Sequence, residues 1–157
     1  MRVARDFYPT PDAAIAPLLP HLAPGTRFAE PCAGDGRMVR FLENHGHICE
    51  YAFDLEPQAD DIDAGDALRV VLMDEDKLVC ITNPPWARPF LHPFIEHWRL
   101  QMTTWILCDA DWMHTLQSAP FMPFCSRIVS IGRVKWIEGS KMTGKDNCAW
   151  FRFEHDA

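Results

Sequence analysis

The chain has 157 residues, 48% of them apolar and 24% charged, and a net charge of −7. That length suits one domain with a full core and no need of disulfide or metal staples. No apolar run approaches the ~18 residues of a membrane span, and the acidic balance argues against generic nucleic-acid coating. Residues 12–22, with Ala14, Ile15, Leu18 and Leu19, predict a helix capped by Thr10 or Asp12 and ending near Pro20. Residues 26–30 predict a strand entering a glycine-bearing loop, 31–36. Met38, Val39, Phe41 and Leu42 have helical spacing until residues 44–46 stop it. A strand over 48–55 ends on acids, a short helix follows over 67–73, and 78–82 is a second apolar strand. Residues 89–102 predict a helix with Phe90, Phe94, Ile95 and Trp98 on one side, and 104–108 a buried strand. Past a loop with Pro120 and Pro123 come a strand at 127–136, a polar loop at 138–147 and a last strand at 148–153.

Such alternation predicts an α/β fold: a mostly parallel sheet, helices on both faces, and an antiparallel hairpin at one edge. These sheets bind ligands at the carboxyl ends of their strands. That rule places residues 30–36, 54–56, 66, 83–86 and 109–111 on one rim.

The six cysteines lie no closer than 17 residues apart, so no zinc spacing exists, and several sit in apolar runs as expected of buried free thiols. The histidines are not clustered either, and no metal site is expected. The first thirty residues lack the layout of a secretory signal, which gives a cytoplasmic expectation. Residues 1–126 carry 9 basic and 18 acidic side chains, whereas 127–157 carry 6 and 4. The C-terminal segment is either an ordinary solvated face or a basic rim, and charge alone does not choose.

Three sites carry chemistry. The first is Glu30-Pro31-Cys32-Ala33-Gly34-Asp35-Gly36, between a strand and a helix. Its glycines let the backbone approach a ligand, and the helix start is expected to offer unpaired N–H groups. It is no dinucleotide fingerprint and lacks the lysine of a phosphate loop. Glu30 would repel phosphate and suits a ligand bearing an ammonium group. The second is Asp54-Leu55-Glu56 at the end of the next strand, where an acid can accept hydrogen bonds from ribose hydroxyls. Asp54 is preferred over Glu56. Asp66, followed by Ala67, either receives an adenine amino group or caps a helix. The third and most specific is Asn83-Pro84-Pro85-Trp86 after a buried strand. Two prolines make the loop rigid, so the Asn83 amide oxygen and the Pro84 carbonyl are held as acceptors. Two hydrogen bonds from a ring-conjugated amine favour a pyramidal nitrogen whose lone pair can attack. Trp86 can stack on that ring.

With these sites in order, the chain resembles the class I S-adenosylmethionine (SAM) methyltransferases, and within them the small phage-type DNA adenine-N6 enzymes. The resemblance spans nearly the whole chain and implies a single Rossmann-like SAM-dependent domain over 1–157. It implies SAM held by Tyr8, Thr10, Pro11, Glu30, Pro31, Ala33, Gly34, Gly36, Asp54, Leu55, Asp66, Ala67 and Asn83. Asn83, Pro84, Pro85 and Trp86 match the family's catalytic motif. The implied reaction is methyl transfer to the N6 amine of adenine in DNA, in a bacterial or phage-infected cytoplasm. No separate target-recognition domain is expected, since only about 70 residues follow Trp86. Specificity then rests on short loops or on a second subunit, such as the other copy of a homodimer. Arg88, Lys135, Lys141 and Lys145 are the expected phosphate contacts. Competing readings are adenine in RNA, a protein glutamine N5 amide, and a non-catalytic SAM-binding module.

Overall fold

The computed structural model describes residues 9–72, 77–136 and 146–155. Among them seven strands form one sheet: β1 (Arg27–Glu30), β2 (Ile48–Asp54), β3 (Asp63–Ala64), β4 (Val79–Thr82), β5 (Thr103–Asp109), β6 (Cys125–Arg133) and β7 (Asn147–Phe153). Their order is β3-β2-β1-β4-β5-β7-β6. The first five are parallel, and β7 runs antiparallel between β5 and β6. The expected architecture is therefore present. The two-residue β3, paired with Phe53 and Asp54, was not expected, because Asp63 and Ala64 carry no apolar signal.

Central strands are buried on both faces, and their side chains alternate between two cores. Cys80, Ile106, Cys108, Ala149 and Phe151 join one core with Leu91, Phe94, Ile95 and Trp98 of helix α3 (Arg88–Arg99). Ile81, Trp105, Leu107, Cys148 and Trp150 join the other. Its helices are α1 (Asp12–Ile15), which tightens into 3₁₀ turns over Ala16–His21, and α2 (Arg37–Asn44). Pro17 and Pro20 lack N–H groups, which is why the expected helix over 12–22 does not stay α-helical. Neither expected side-chain cap forms: Pro11 is the N-cap residue, and Thr10 has another partner.

The helix expected over 67–73 is reduced to one turn in the described residues, closed by the Arg69 and Val70 amides on the Asp66 carbonyl. Tertiary bonds take the rest. Leu72 donates its N–H to Gln101 Oε1 at 2.9 Å, and the Val70 carbonyl accepts from His97 Nε2 at 2.7 Å. The Trp98 indole donates to the Ala67 carbonyl at 2.9 Å. With these polar groups bound to α3 and to Gln101 just beyond it, the segment does not continue as a helical ladder. All six cysteines are free thiols, and Cys80, Cys108 and Cys148 are buried. Among the described residues no helix is long and apolar enough to cross a membrane.

The N-terminal helix is pinned to the sheet by a buried bond from the Trp150 indole N–H to the Ala14 carbonyl at 2.8 Å. Trp150→Phe should lower stability by about 1–3 kcal/mol, the loss expected for a buried donor. Urea unfolding checks this, with a lower midpoint and an unchanged slope.

Candidate active site

The order β2-β1-β4-β5 sets four parallel strand ends side by side, carrying Asp54, Glu30, Thr82-Asn83 and Asp109. The chain winds one way from β1 and the other way from β4, so their ends flank the switch point where such sheets bind ligands. The structure thus brings the three sequence sites together.

The loop after β1 is bonded to its own surroundings. Cys32 N–H donates to Glu30 Oε1 (2.8 Å), Ala33 N–H to the Phe53 carbonyl (3.0 Å) and Gly34 N–H to Asp54 Oδ2 (2.9 Å). Gly36 N–H donates to the Ala33 carbonyl and Arg37 N–H to Asp35 Oδ1. Five amides that the loop and helix start were expected to leave open are thus used internally. Gly34 and Gly36 have φ of 57° and 82°, which favours glycine at both. A Cβ at Gly36 would also come within 3.0 Å of Arg40 and 3.2 Å of Ile62.

Glu30 is 1% exposed, and burial pushes its pKa from 4.5 to about 8, with the Asp54 charge adding to the rise. The Thr82 hydroxyl beside it is fully buried without a partner in hydrogen-bond geometry, yet is close enough to offset part of that rise. Asp54 accepts from Gly34 on one oxygen and from Glu56 N–H on the other, at 2.8 Å. Each oxygen keeps a second lone pair for a ligand hydroxyl. Asp66 Oδ1 accepts the Leu68 N–H at 3.0 Å, the capping geometry. Leu55 is exposed and Ala67 buried. Pro31 and Ala33 are buried in the loop.

At the end of β4, the Trp86 indole N–H is shared between Asn83 Oδ1 (3.0 Å) and the Leu107 carbonyl (2.9 Å). An indole N–H only donates, so it fixes which end of the Asn83 amide is oxygen. Asn83 Nδ2 then donates to Thr10 Oγ1 at 3.2 Å. Pro84 is buried and Pro85 half-buried between these residues. Arg88 donates to the Trp86 carbonyl at 2.9 Å and grips Asp109 through both carboxylate oxygens, at 3.2 and 3.3 Å. The expected phosphate contact at Arg88 is thus engaged in bracing the loop. Lys135 is exposed, whereas Tyr8, Lys141 and Lys145 lie outside the described residues.

Two contributors had no strong signal in the sequence. Trp136 meets Trp86 edge to face, with ring centroids 5.6 Å apart. Asp109 was legible only as an acid on the rim, and its pairing with Arg88 crosses 21 residues. Burial is the main cause pushing all six thiols upward in pKa, so none is a ready thiolate nucleophile. Among the described residues, no group of three or more His, Cys, Asp or Glu is arranged to hold a metal.

No family model and no curated protein matches the sequence. Solved structures do match in fold. A candidate RNA methyltransferase from Pyrococcus horikoshii has a TM-score of 0.71 at 16% identity, over 98% of this chain and 89% of that one. The E. cuniculi Mtq2–Trm112 complex, responsible for methylating the eRF1 termination factor, has a TM-score of 0.63 at 12% identity, over 96% and 98%. A type I restriction-modification methyltransferase subunit from Streptococcus thermophilus has a TM-score of 0.60 at 10% identity, over 96% of this chain but 45% of that subunit. The chain therefore has the Rossmann-like methyltransferase fold.

The buried carboxyl at Glu30 makes stability depend on pH. Its folded pKa lies above the unfolded value, so the folded state holds a proton that the unfolded chain has released. Stability from this group therefore falls as pH rises from about 4.5 to about 8. Glu30→Gln should gain on the parent across that window, by a few kcal/mol in order of magnitude, and run parallel to it above. Urea unfolding at stepped pH measures the gap; a constant gap would refute the buried, protonated carboxyl.

Proposed function

We propose that this chain is a SAM-dependent methyltransferase acting on the N6 amine of adenine in DNA. One observation carries the reading: the rigid Asn83–Trp86 loop stands at the switch point beside the glycine loop, with its amide oxygen oriented by Trp86. The shared fold, which other methyltransferases use on RNA and protein, supports the general reaction.

The strand-end site suits SAM better than a phosphate-bearing cofactor. The loop amides that would cradle phosphate are already bonded to Glu30, Phe53, Ala33, Asp35 and Asp54. The Asp54 carboxylate, with the buried Glu30 carboxyl beside it, suits a cationic, hydroxyl-rich ligand instead. When bound, SAM supplies a methyl group activated by its sulfonium. Glu30 and the glycine loop would lie by its amino-acid part and Asp54 by the ribose, with Thr10 and Pro11 beside it. Asp66 and Ala67 would meet the adenine.

The chain's own work is positioning. Asn83 Oδ1 has one lone pair on the Trp86 N–H and keeps the other for the target amine, next to the Pro84 carbonyl. Because the Trp86 N–H is spent, Trp86 offers a base its ring rather than a hydrogen bond. No general base is needed before attack, since the methylated nitrogen becomes strongly acidic afterwards. Holding the amine in line with the methyl group supplies most of the acceleration.

Transfer of labelled methyl from SAM to duplex DNA, single-stranded DNA, RNA and protein in parallel tests the proposal. N6-methyladenine in DNA is the expected product; label only in RNA or protein overturns the DNA assignment. Asn83→Ala should abolish most transfer while SAM binding, followed by calorimetry, persists. Near-normal turnover in that variant would refute the amide's role. Asp54→Ala should weaken SAM binding by about 1.5–3 kcal/mol, the worth of a charged hydrogen bond. Unchanged affinity in the folded variant would move the ribose contact to Glu56.

A further inference from the structure

An open cleft of about 830 Å³ lies between α1, α2 and the chain leaving β6. Arg37, Arg40, Arg133 and Lys135 line it, against one lining carboxylate, Asp12. That is a local excess of positive charge on a chain whose net charge is −7. Asp35 stands 3.7 Å from Arg37, and the Arg40 guanidinium donates to the Asp35 carbonyl, which leaves its charge uncancelled. Arg37 and Arg40 are three apart on a helix and so share a face. A register shift between Ser130 and Gly132, where Gly132 has φ 75°, precedes Arg133 and Lys135. Bulges of this kind bend a strand end and re-aim its side chains.

The cleft is joined to the candidate active site at two points. Pro11 lines it and follows Thr10, whose hydroxyl accepts from Asn83. Trp136 lines it and packs against Trp86. Cations that follow a backbone, together with an aromatic surface for a base, form the physical pattern of single-strand binding sites. An indole among guanidinium groups can stack only on a base that is out of a helix.

Building on the methyltransferase reading, we propose that this cleft is the track for the phosphodiester strand flanking the target base. Arg37, Arg40, Arg133 and Lys135 contact its phosphates, and Trp136 stacks on an unpaired neighbour of the target. The track lies on the α1–α2 face, whereas Arg88 is engaged in bracing the catalytic loop. Phosphate contacts hold the strand without reading bases, so the cleft supplies register and affinity rather than sequence choice.

Fluorescence anisotropy with a labelled single-stranded DNA, an RNA of the same sequence and the DNA duplex, each over a range of salt, tests the track. For Arg133→Ala/Lys135→Ala, the slope of log affinity against log salt on single strands should fall by about 1.4, at ~0.7 per phosphate contact. Near 0.1 M salt that corresponds to roughly 25-fold weaker binding. Lys77→Ala, just before β4 and so at the opposite ends of the strands, should change neither value. An unchanged slope in the double variant overturns the cleft, and tighter binding of the duplex than of either single strand overturns the single-strand assignment. Calorimetry with SAM separates the two ideas. SAM bound by the parent and the double variant alike, with no nucleic acid bound by the parent, overturns the track alone. Failure of the parent to bind SAM overturns the methyltransferase reading.

Discussion

The parallel pairing of β1 with β2 on one side and β4 on the other is the constraint on which the site depends. Phe28 lies against Cys49 and Val79, and Ala29 against Tyr51 and Cys80. With that register, Glu30, Asp54 and Asn83 leave the sheet at one edge, although 53 residues of chain separate the first from the last. No local interaction could place them together. Their juxtaposition follows from two cores, one on each face, that hold the central strands flat against α2 and α3.

Rigidity at this edge comes from polar groups that satisfy one another. The glycine loop spends its amides on Glu30, Phe53 and Asp54, and the Asn83–Trp86 loop spends the Trp86 N–H on Asn83 and Leu107. Such internal bonding leaves few donors for a phosphate, while it aims acceptors at the space above the strands. The cost is concentrated in Glu30, a carboxyl kept in a site that disfavours its charge. A cationic ligand nearby would favour ionisation, so ligand binding and proton release are linked at this residue.

Charge is divided in the same spirit. Acids gather where the strands end, and cations gather in the cleft between α1, α2 and the end of β6. Arg88, next to the Asn83–Trp86 loop in sequence, is tied to Asp109 and braces that loop. Trp136 joins the two regions by touching Trp86 from the cleft side. On the proposed reading, a substrate strand and a cofactor approach the same amide from different directions.

Elements with strong local signals were legible in the sequence. Ile81 and Trp105 sit in apolar runs bounded by loops, and the structure makes both runs buried strands. The glycine loop and the Asn83–Trp86 loop were legible because glycine opens positive-φ backbone and proline fixes φ wherever they stand. The sequence by itself thus determined the alternation of strands and helices and which residues stand on the rim. Only the tertiary structure decided the partners. The segment after Asp66 has helical spacing but gives its polar groups to α3, and residues 12–22 tighten around two prolines. Neither the Arg88–Asp109 brace nor the Trp86–Trp136 contact has any local signature, and Arg37 and Arg40 read as an ordinary helix face. Each joins residues far apart in sequence, and such pairings are set by how the sheet folds back on itself rather than by propensity within any one segment.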